Sequence, residues 1–227
     1  SFQDAVHVGL DAKARAIHKW TGDAYRDRQF EMAVQFCLRA RQSRGFSTIP
    51  IDFWVIIMPF LLSDHPDLDV RAQAGVLETS SLEEVLRWAW GRFGRRAAIG
   101  TSFQGSGLVM IDHVVKLGLD FPVFTLDTGL LFPETYELKE RLERHFGIMI
   151  EALYPEQTVE EQAATYGAEL WRTNPDTCCA MRKVLPLQKK LAELDVWMTG
   201  VRRTQSGTRA ATQLLELYEF ERLRGHH

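Results

Sequence analysis

From Thr79 onward the chain alternates between two kinds of pattern. Short, nearly continuous apolar runs occur at Ala97 to Thr101 (AAIGT), Pro122 to Leu126 (PVFTL), Ile148 to Leu153 and Val196 to Thr199 (VWMT). Runs of this kind read as strands buried on both faces. Between them the apolar positions recur at helical spacing. Thr79-Ser80-Ser81 is a predicted N-cap, with Glu83 and Glu84 in the first turn of a helix reaching about Phe93. Further helices are predicted over Leu108 to Leu117, over Pro133 to Phe146 with Pro in the first turn, and over Thr158 to Tyr166. A last one runs from Cys179 to Leu194, where Pro186 predicts a kink or restart. Two-sided strands alternating with helices predict an α/β fold, a doubly wound, mostly parallel sheet covered on both faces.

The pattern changes near residue 78. Ala12 to Arg44 is rich in helix formers, with Ala16, Trp20, Phe30, Ala33, Val34, Cys37 and Leu38 at mixed three and four spacings. Residues 1–77 are therefore expected to be a helical extension, and 78–227 the main domain. Cys37 reads as a buried small hydrophobe, and His18 and His65 as ordinary helix and loop residues. The most apolar stretch, Phe53 to Leu62, is interrupted by Pro59 and is too short to cross a bilayer, so it reads as a buried helix or strand. The first residues show no signal-peptide pattern, so a cytoplasmic location and no membrane association are expected.

Composition narrows the functional classes. Of 227 residues, 45% are hydrophobic and 25% charged, which excludes a disordered or fibrous chain. Lys plus Arg number 27 against 30 Asp plus Glu, a net charge of -3, so no nucleic-acid partner is expected and any anion must meet a local basic cluster. Three cysteines are too few for a disulfide framework.

Ligands of an open parallel sheet bind beyond the carboxyl ends of its strands, so the segments there carry the chemistry. Ser102-Phe103-Gln104-Gly105-Ser106-Gly107 is a small-residue turn before a helix, suited to bringing backbone N–H groups to an anion, though it matches neither a Walker loop nor GxGxxG. Leu126-Asp127-Thr128-Gly129 offers an acceptor for a hydroxyl or amino group, or a capping Asp in a turn. Cys178 and Cys179 are adjacent and precede Arg182 and Lys183. Two thiolates beside two cations suit a soft metal or iron–sulfur cluster. Gly200, Arg202, Arg203 and Arg209 lie in a loop with Thr204, Gln205, Ser206 and Thr208, a donor set matching phosphate or sulfate.

In this order and spacing, SFQGSG, FTLDTGLLFPETY, CCAMRKVLPL and TGVRRTQSGTRA resemble the assimilatory adenylyl-sulfate (APS) reductases of the PAPS/APS reductase family, within the adenine nucleotide alpha-hydrolase-like superfamily. The resemblance covers roughly residues 80–212, and the tandem cysteines favour the branch that uses adenylyl sulfate. It implies two-electron reduction of adenylyl sulfate to sulfite and AMP in sulfate assimilation, with thioredoxin or a glutaredoxin-type protein as reductant. On this resemblance Ser102, Phe103, Gly105, Ser106 and Gly107 hold the phosphate or sulfate end, and Leu126, Asp127, Thr128 and Gly129 line the adenosine. Gly200, Arg202, Arg203 and Arg209 meet the anionic groups. Cys178 and Cys179 would supply two of four ligands to a 4Fe–4S cluster, with Lys183 tuning its field. The family's second Cys-x-x-Cys pair and its Glu-Cys-Gly-Leu-His tail have no counterpart in the 227 residues. The nucleophilic cysteine and the other two ligands are therefore expected downstream, and the chain by itself is expected to bind nucleotide without releasing sulfite. The alternatives are a phosphoadenylyl-sulfate reductase, a sulfate adenylyltransferase-like ATP pyrophosphatase and a non-catalytic nucleotide-binding module. A homo-oligomer is left open.

Overall fold

The computed structural model describes residues 54–57, 65–201, 203 and 210–217. In chain order the elements are strand β1 (Trp54–Ile57), helices α1 (Val70–Leu77) and α2 (Leu82–Phe93), β2 (Ala97–Gly100), α3 (Gly105–Lys116), β3 (Val123–Leu126), α4 (Pro133–Phe146) and β4 (Ile150–Leu153). Then come α5 (Val159–Tyr166), the short α6 (Leu170–Thr173) and α7 (Pro175–Cys179), a π turn (Ala180–Val184), α8 (Leu185–Leu191), β5 (Val196–Thr199) and β6 (Leu215–Leu217).

The strands form one sheet in the order β4-β3-β2-β5-β1-β6. The first four are mutually parallel, with Gly100 opposite Phe124 on one side and Thr199 on the other. β1 runs antiparallel to β5 and parallel to β6. The expected α/β sheet with helices on both faces is present, with two further strands at one edge. One of these, Trp54–Ile57, lies inside the segment expected to be a helical extension and inside the apolar stretch read as helix or strand. Most of that segment, including Cys37 and His18, lies outside the described residues.

Alternate residues of each strand feed two separate cores. Ala97, Ile99, Val123, Ile150, Val196 and Met198 pack with α2, α3 and α4 on one face. Ala98 and Phe124 pack with Leu187, Leu191 and Leu194 on the other, beside Leu126 and Trp197. Ser81 and Thr158 each close a capping box, so α2 and α5 start where the sequence predicts.

Two helices differ from expectation. α3 starts at Gly105 rather than Leu108, because a first turn need not bury side chains and so leaves no apolar signal. The helix expected over Cys179 to Leu194 starts at Pro175, widens into the π turn and resumes as α8, with Pro186 in the first turn of α8. Proline cannot donate to the carbonyl four residues back and crowds it, and the wider turn relieves both.

The amino edge of the sheet is held by a buried carboxylate paired with a half-exposed arginine. Asp195, just before β5, accepts from Arg96 Nε at 2.8 Å and Nη2 at 2.7 Å, and lies 3.2 Å from His65 Nε2. Burial opposes its ionisation, but the hydrogen bonds from Arg96 and His65 outweigh burial and hold the carboxyl below its ordinary value. A folded-state pKa below the unfolded value of about 3.9 means a contribution that is complete at neutral pH and lost as pH falls from about 4 downward. Asp195→Asn is expected to lower unfolding free energy at pH 7 by about 2–3 kcal/mol, the scale of charge-assisted hydrogen bonds. Urea unfolding at pH 7 and pH 3 checks this: the difference between variant and wild type should shrink at the lower pH.

Candidate active site

β2 leads through α3 to β3 on one side, whereas β5 lies on the other side of β2. The chain therefore turns in opposite directions from the carboxyl ends of β2 and β5, and a crevice opens at such a switch point. Both borders are built from small residues. Ser106 donates its hydroxyl hydrogen bond to the Gly200 carbonyl. A Cβ on Gly200 would lie 2.5 Å from Gly107 N and 2.9 Å from the Ser106 carbonyl carbon, so only glycine allows this approach. A Cβ on Gly107 would lie 2.9 Å from Thr101 Oγ1, which already accepts from Phe103 N at 3.0 Å. Phe103 has φ 59°, a left-handed conformation that a bulky side chain seldom takes. The loop is thereby bent so that Gly105, Ser106 and Gly107 open α3, where first-turn N–H groups lack helical partners and face the positive end of the helix dipole.

The turn after β3 is rigid for a different reason. Asp127 N donates to Leu153 O at 2.9 Å, tying the turn to β4. Asp127 Oδ1 accepts from Gly129 N and from the Tyr136 hydroxyl, both at 2.9 Å. Burial together with that hydrogen bond pushes the Tyr136 phenol up to about 12. Thr128 Oγ1 accepts from Leu130 N at 3.2 Å, and Gly129 has φ 68°. One carboxylate oxygen of Asp127 thus builds its own turn, and Oδ2 has no partner among the described residues.

Beneath this turn lies Arg182, 3% exposed. Its Nε donates to Thr128 O at 2.5 Å, and its Nη1 to Gln162 Oε1 at 2.9 Å, with the Gln157 and Thr158 carbonyls at 3.3 and 3.4 Å. A Cβ on Gly129 would meet its Nη2 at 3.0 Å. Arg182 therefore faces the turn, while Lys183 is the cation beside the thiols. Cys178 and Cys179 are free and buried. Burial pushes the Cys179 thiol up, with Lys183 pulling against it. Burial likewise pushes the Lys183 ammonium down, and both cysteines oppose that. Gln162 Nε2 donates to Cys178 Sγ at 3.9 Å.

Two buried sulfurs with one half-buried lysine have the chemistry of half an iron–sulfur ligand set. Among the described residues no group of three His, Cys, Asp or Glu side chains could hold a metal, so the set is not completed there. Among the described residues no helix is long and apolar enough to cross a membrane.

The arginine loop is described only in part. Arg202 and Arg209 lie outside the described residues. Arg203, expected to meet an anion, donates through Nε to Thr212 O at 2.6 Å and through Nη2 to Glu78 Oε1 at 2.5 Å. The same Glu78 oxygen accepts from Leu214 N at 2.7 Å, so Arg203 ties the end of α1 to the start of β6. The structure thus brings together Ser102–Gly107, Gly200, Leu126–Gly129, Lys183 and the tandem cysteines along one sheet edge. It adds Thr101, Tyr136, Gln162 and Arg182, which sequence reasoning did not single out as binding residues. Gln162 left a trace: it is the one buried residue of α5, on a helix with no continuous apolar face.

The family described as phosphoadenosine phosphosulfate reductase domain matches residues 96–223. The adenosine 5'-phosphosulfate reductase of Halalkalibacterium halodurans is 45% identical over 140 residues, 61% of this chain and 61% of its own length. Adenosine 5'-phosphosulfate reductase 2 of Bacillus subtilis is 42% identical over 135 residues, 59% and 57% of the two chains. The matches thus span about three-fifths of the length of these relatives. A crystal structure of phosphoadenylyl-sulfate reductase from Candida auris in a phosphate complex superposes with a TM-score of 0.50 and 30% identity, covering 59% of this chain and 63% of that one. A family match over more than half of its residues, on a sheet with this switch-point site, shows that the chain belongs to the phosphoadenosine phosphosulfate reductase domain family.

Proposed function

We propose that the chain is the nucleotide-binding part of an assimilatory adenylyl-sulfate reductase. The observation that carries this reading is the pair of buried adjacent thiols beside Lys183, joined through Gln162 and Arg182 to the Thr128 turn. An ATP pyrophosphatase has no use for them. The naming of curated relatives as adenosine 5'-phosphosulfate reductases supports the same substrate.

In this reading the first-turn amides of α3, with Ser102 and Phe103 shaping the loop, hold the phosphosulfate end. Gly200 keeps the opposite wall close. Leu126, Asp127, Thr128 and Gly129 line the adenosine, with Asp127 Oδ2 as an acceptor. Arg202 and Arg209 neutralise the anion, and Arg203, anchored to Glu78 and Thr212, fixes the base of their loop. A cysteine thiolate attacks the sulfur of adenylyl sulfate. The bond between that sulfur and the bridging oxygen breaks, and AMP leaves with the electron pair. The resulting S-sulfocysteine is attacked at the cysteine sulfur by one thiol of thioredoxin or a glutaredoxin-type dithiol. Sulfite departs and leaves a mixed disulfide; the second thiol then attacks the reductant's own sulfur, the mixed disulfide breaks, and the cysteine leaves as thiolate. Cations around the phosphosulfate favour the step because charge gathers on the departing AMP.

Cys178 and Cys179 are proposed as two of four ligands to a 4Fe–4S cluster, with Lys183 beside it. When bound, such a group would supply a fixed, polarisable charge next to the sulfate. A cytoplasmic location and the division near residue 78, with residues 1–77 as an extension that also lends β1 to the sheet, belong to this proposal. A second reading, a phosphoadenylyl-sulfate reductase, is favoured by the Candida auris relative. The two are separated by titrating the protein with AMP and with adenosine 3′,5′-bisphosphate.

Calorimetry on the 227-residue chain is expected to show AMP binding. Gly200→Ala, whose methyl would meet the Gly107 backbone at 2.5 Å, should weaken it tenfold or more with the circular dichroism spectrum retained. Unchanged affinity would remove this crevice from the site. In the protein expressed from its full coding sequence, Cys179→Ser should lose bound iron and sulfide, because a hydroxyl replaces thiolate poorly as an iron ligand. Wild-type iron content in that variant would end the ligand assignment.

A further inference from the structure

Arg182 is an unusual buried cation. At 3% exposure it has no carboxylate partner among the described residues, and its contacts are three backbone carbonyls and one side-chain amide. A guanidinium placed this way costs desolvation that neutral acceptors only partly offset, so its fork geometry needs a reason beyond stability. The three carbonyls belong to two segments. Thr128 is in the turn after β3, and Gln157 and Thr158 lead into α5. The amide is Gln162, 2% exposed, on α5 itself. Because a guanidinium only donates, the atom of Gln162 facing Nη1 is the oxygen, and its NH2 therefore faces Cys178 Sγ. One guanidinium–amide pair thus touches both the turn and the thiol.

We infer that Arg182 and Gln162 are the positioning residues of the site: Arg182 fixes the Thr128–Gly129 turn, and Gln162, oriented by Arg182, fixes the Cys178 side chain relative to it. This deepens the reading under Proposed function and rests on it for the identity of the nucleotide, but the placement itself does not. Three features support it. The Nε bond to Thr128 O holds the peptide just before Gly129. The 3.0 Å approach of Nη2 to the missing Gly129 Cβ makes the glycine and the guanidinium a matched pair. Cys178 and Arg182 are four residues apart on one helical run, so they share a face and meet Gln162 together.

The test uses the full chain with Gln162→Leu and Gln162→Glu. The readouts are hydrogen exchange at the Gly129 and Leu130 amides, iodoacetamide labelling of Cys178, and AMP calorimetry. In Gln162→Leu, which removes both the acceptor and the donor, exchange at Gly129 and Leu130 should rise at least fivefold and Cys178 should label at least threefold faster. Exchange at Met110 and Ile111, in the core of α3, should stay at the wild-type rate. Gln162→Glu keeps an oxygen for Arg182, so Gly129 and Leu130 should remain within twofold of wild type while Cys178 still labels faster. If Gln162→Leu does not fold, the split between turn and thiol in Gln162→Glu decides the matter. Wild-type exchange and labelling in Gln162→Leu, or an equal rise at Met110 and Ile111, would overturn the inference. AMP affinity should fall about fivefold in Gln162→Leu. A wild-type chain that binds no AMP overturns the nucleotide reading instead, and the exchange and labelling results then judge the pair by themselves.

Discussion

The site depends on how closely the end of β5 approaches the first turn of α3. Gly200 and Gly107 meet backbone to backbone, with Ser106 bonded to the Gly200 carbonyl. No side chain fits between them, so the crevice at the switch point is walled by peptide groups. Such walls suit an anion, because main-chain N–H groups are dipoles that need no counter-charge and lose no rotamer freedom on binding. The same approach explains Phe103. Its left-handed backbone costs about 1–3 kcal/mol. The chain must nevertheless leave β2 and enter α3 within a few residues while keeping Thr101 Oγ1 under Phe103 N.

Two arginines at opposite edges of the sheet make a useful contrast, Arg96 half-exposed and Arg182 buried. At the amino edge, Arg96 meets Asp195, a carboxylate 3% exposed at its side chain, in a paired geometry that answers its charge. At the carboxyl edge Arg182 is answered only by neutral oxygens. Stability alone favours the first arrangement. The second places a guanidinium beneath the turn where the proposed nucleotide would sit, with the Asp127 carboxylate in the turn itself. In an α/β sheet the carboxyl edge is the place for ligands, and here it is also where a buried guanidinium meets neutral oxygens.

How much of this could be read in the sequence depends on what kind of order each part has. The strands over Ala97–Gly100, Val123–Leu126 and Val196–Thr199 were legible because two-sided burial makes them apolar without interruption. The turn of Leu126–Gly129 and the loop before α3 stood out as small or polar residues placed directly after such runs. The edge pairings of β1 and β6 were not legible, since an apolar stretch says that it is buried and not against which strand. The partners of Arg203 were not legible: its sequence neighbours include hydroxyl and amide residues, but its bonds go to Glu78 and Thr212, one of them far away in the chain. Arg182 and Gln162 were missed as a pair because a polar contact across 20 residues leaves no periodic mark.

The tandem cysteines are adjacent in sequence, yet the helix sends them to different surroundings. Consecutive helical side chains diverge by about 100°. Cys178 shares its face with Arg182 and meets the Gln162 amide, whereas Cys179 shares the next face with Lys183. One thiol is therefore held by hydrogen bonding from the support of the Thr128 turn, and the other lies in the field of a half-buried ammonium. Burial alone pushes Cys179 toward the neutral thiol and Lys183 toward the neutral amine, so each stays charged most readily when the other does. A doublet arranged in this way holds two sulfurs in two differently tuned positions. Replacing either cysteine would remove a donor and also the counterpart of a specific neighbour, so the two positions are not interchangeable despite their identical side chains.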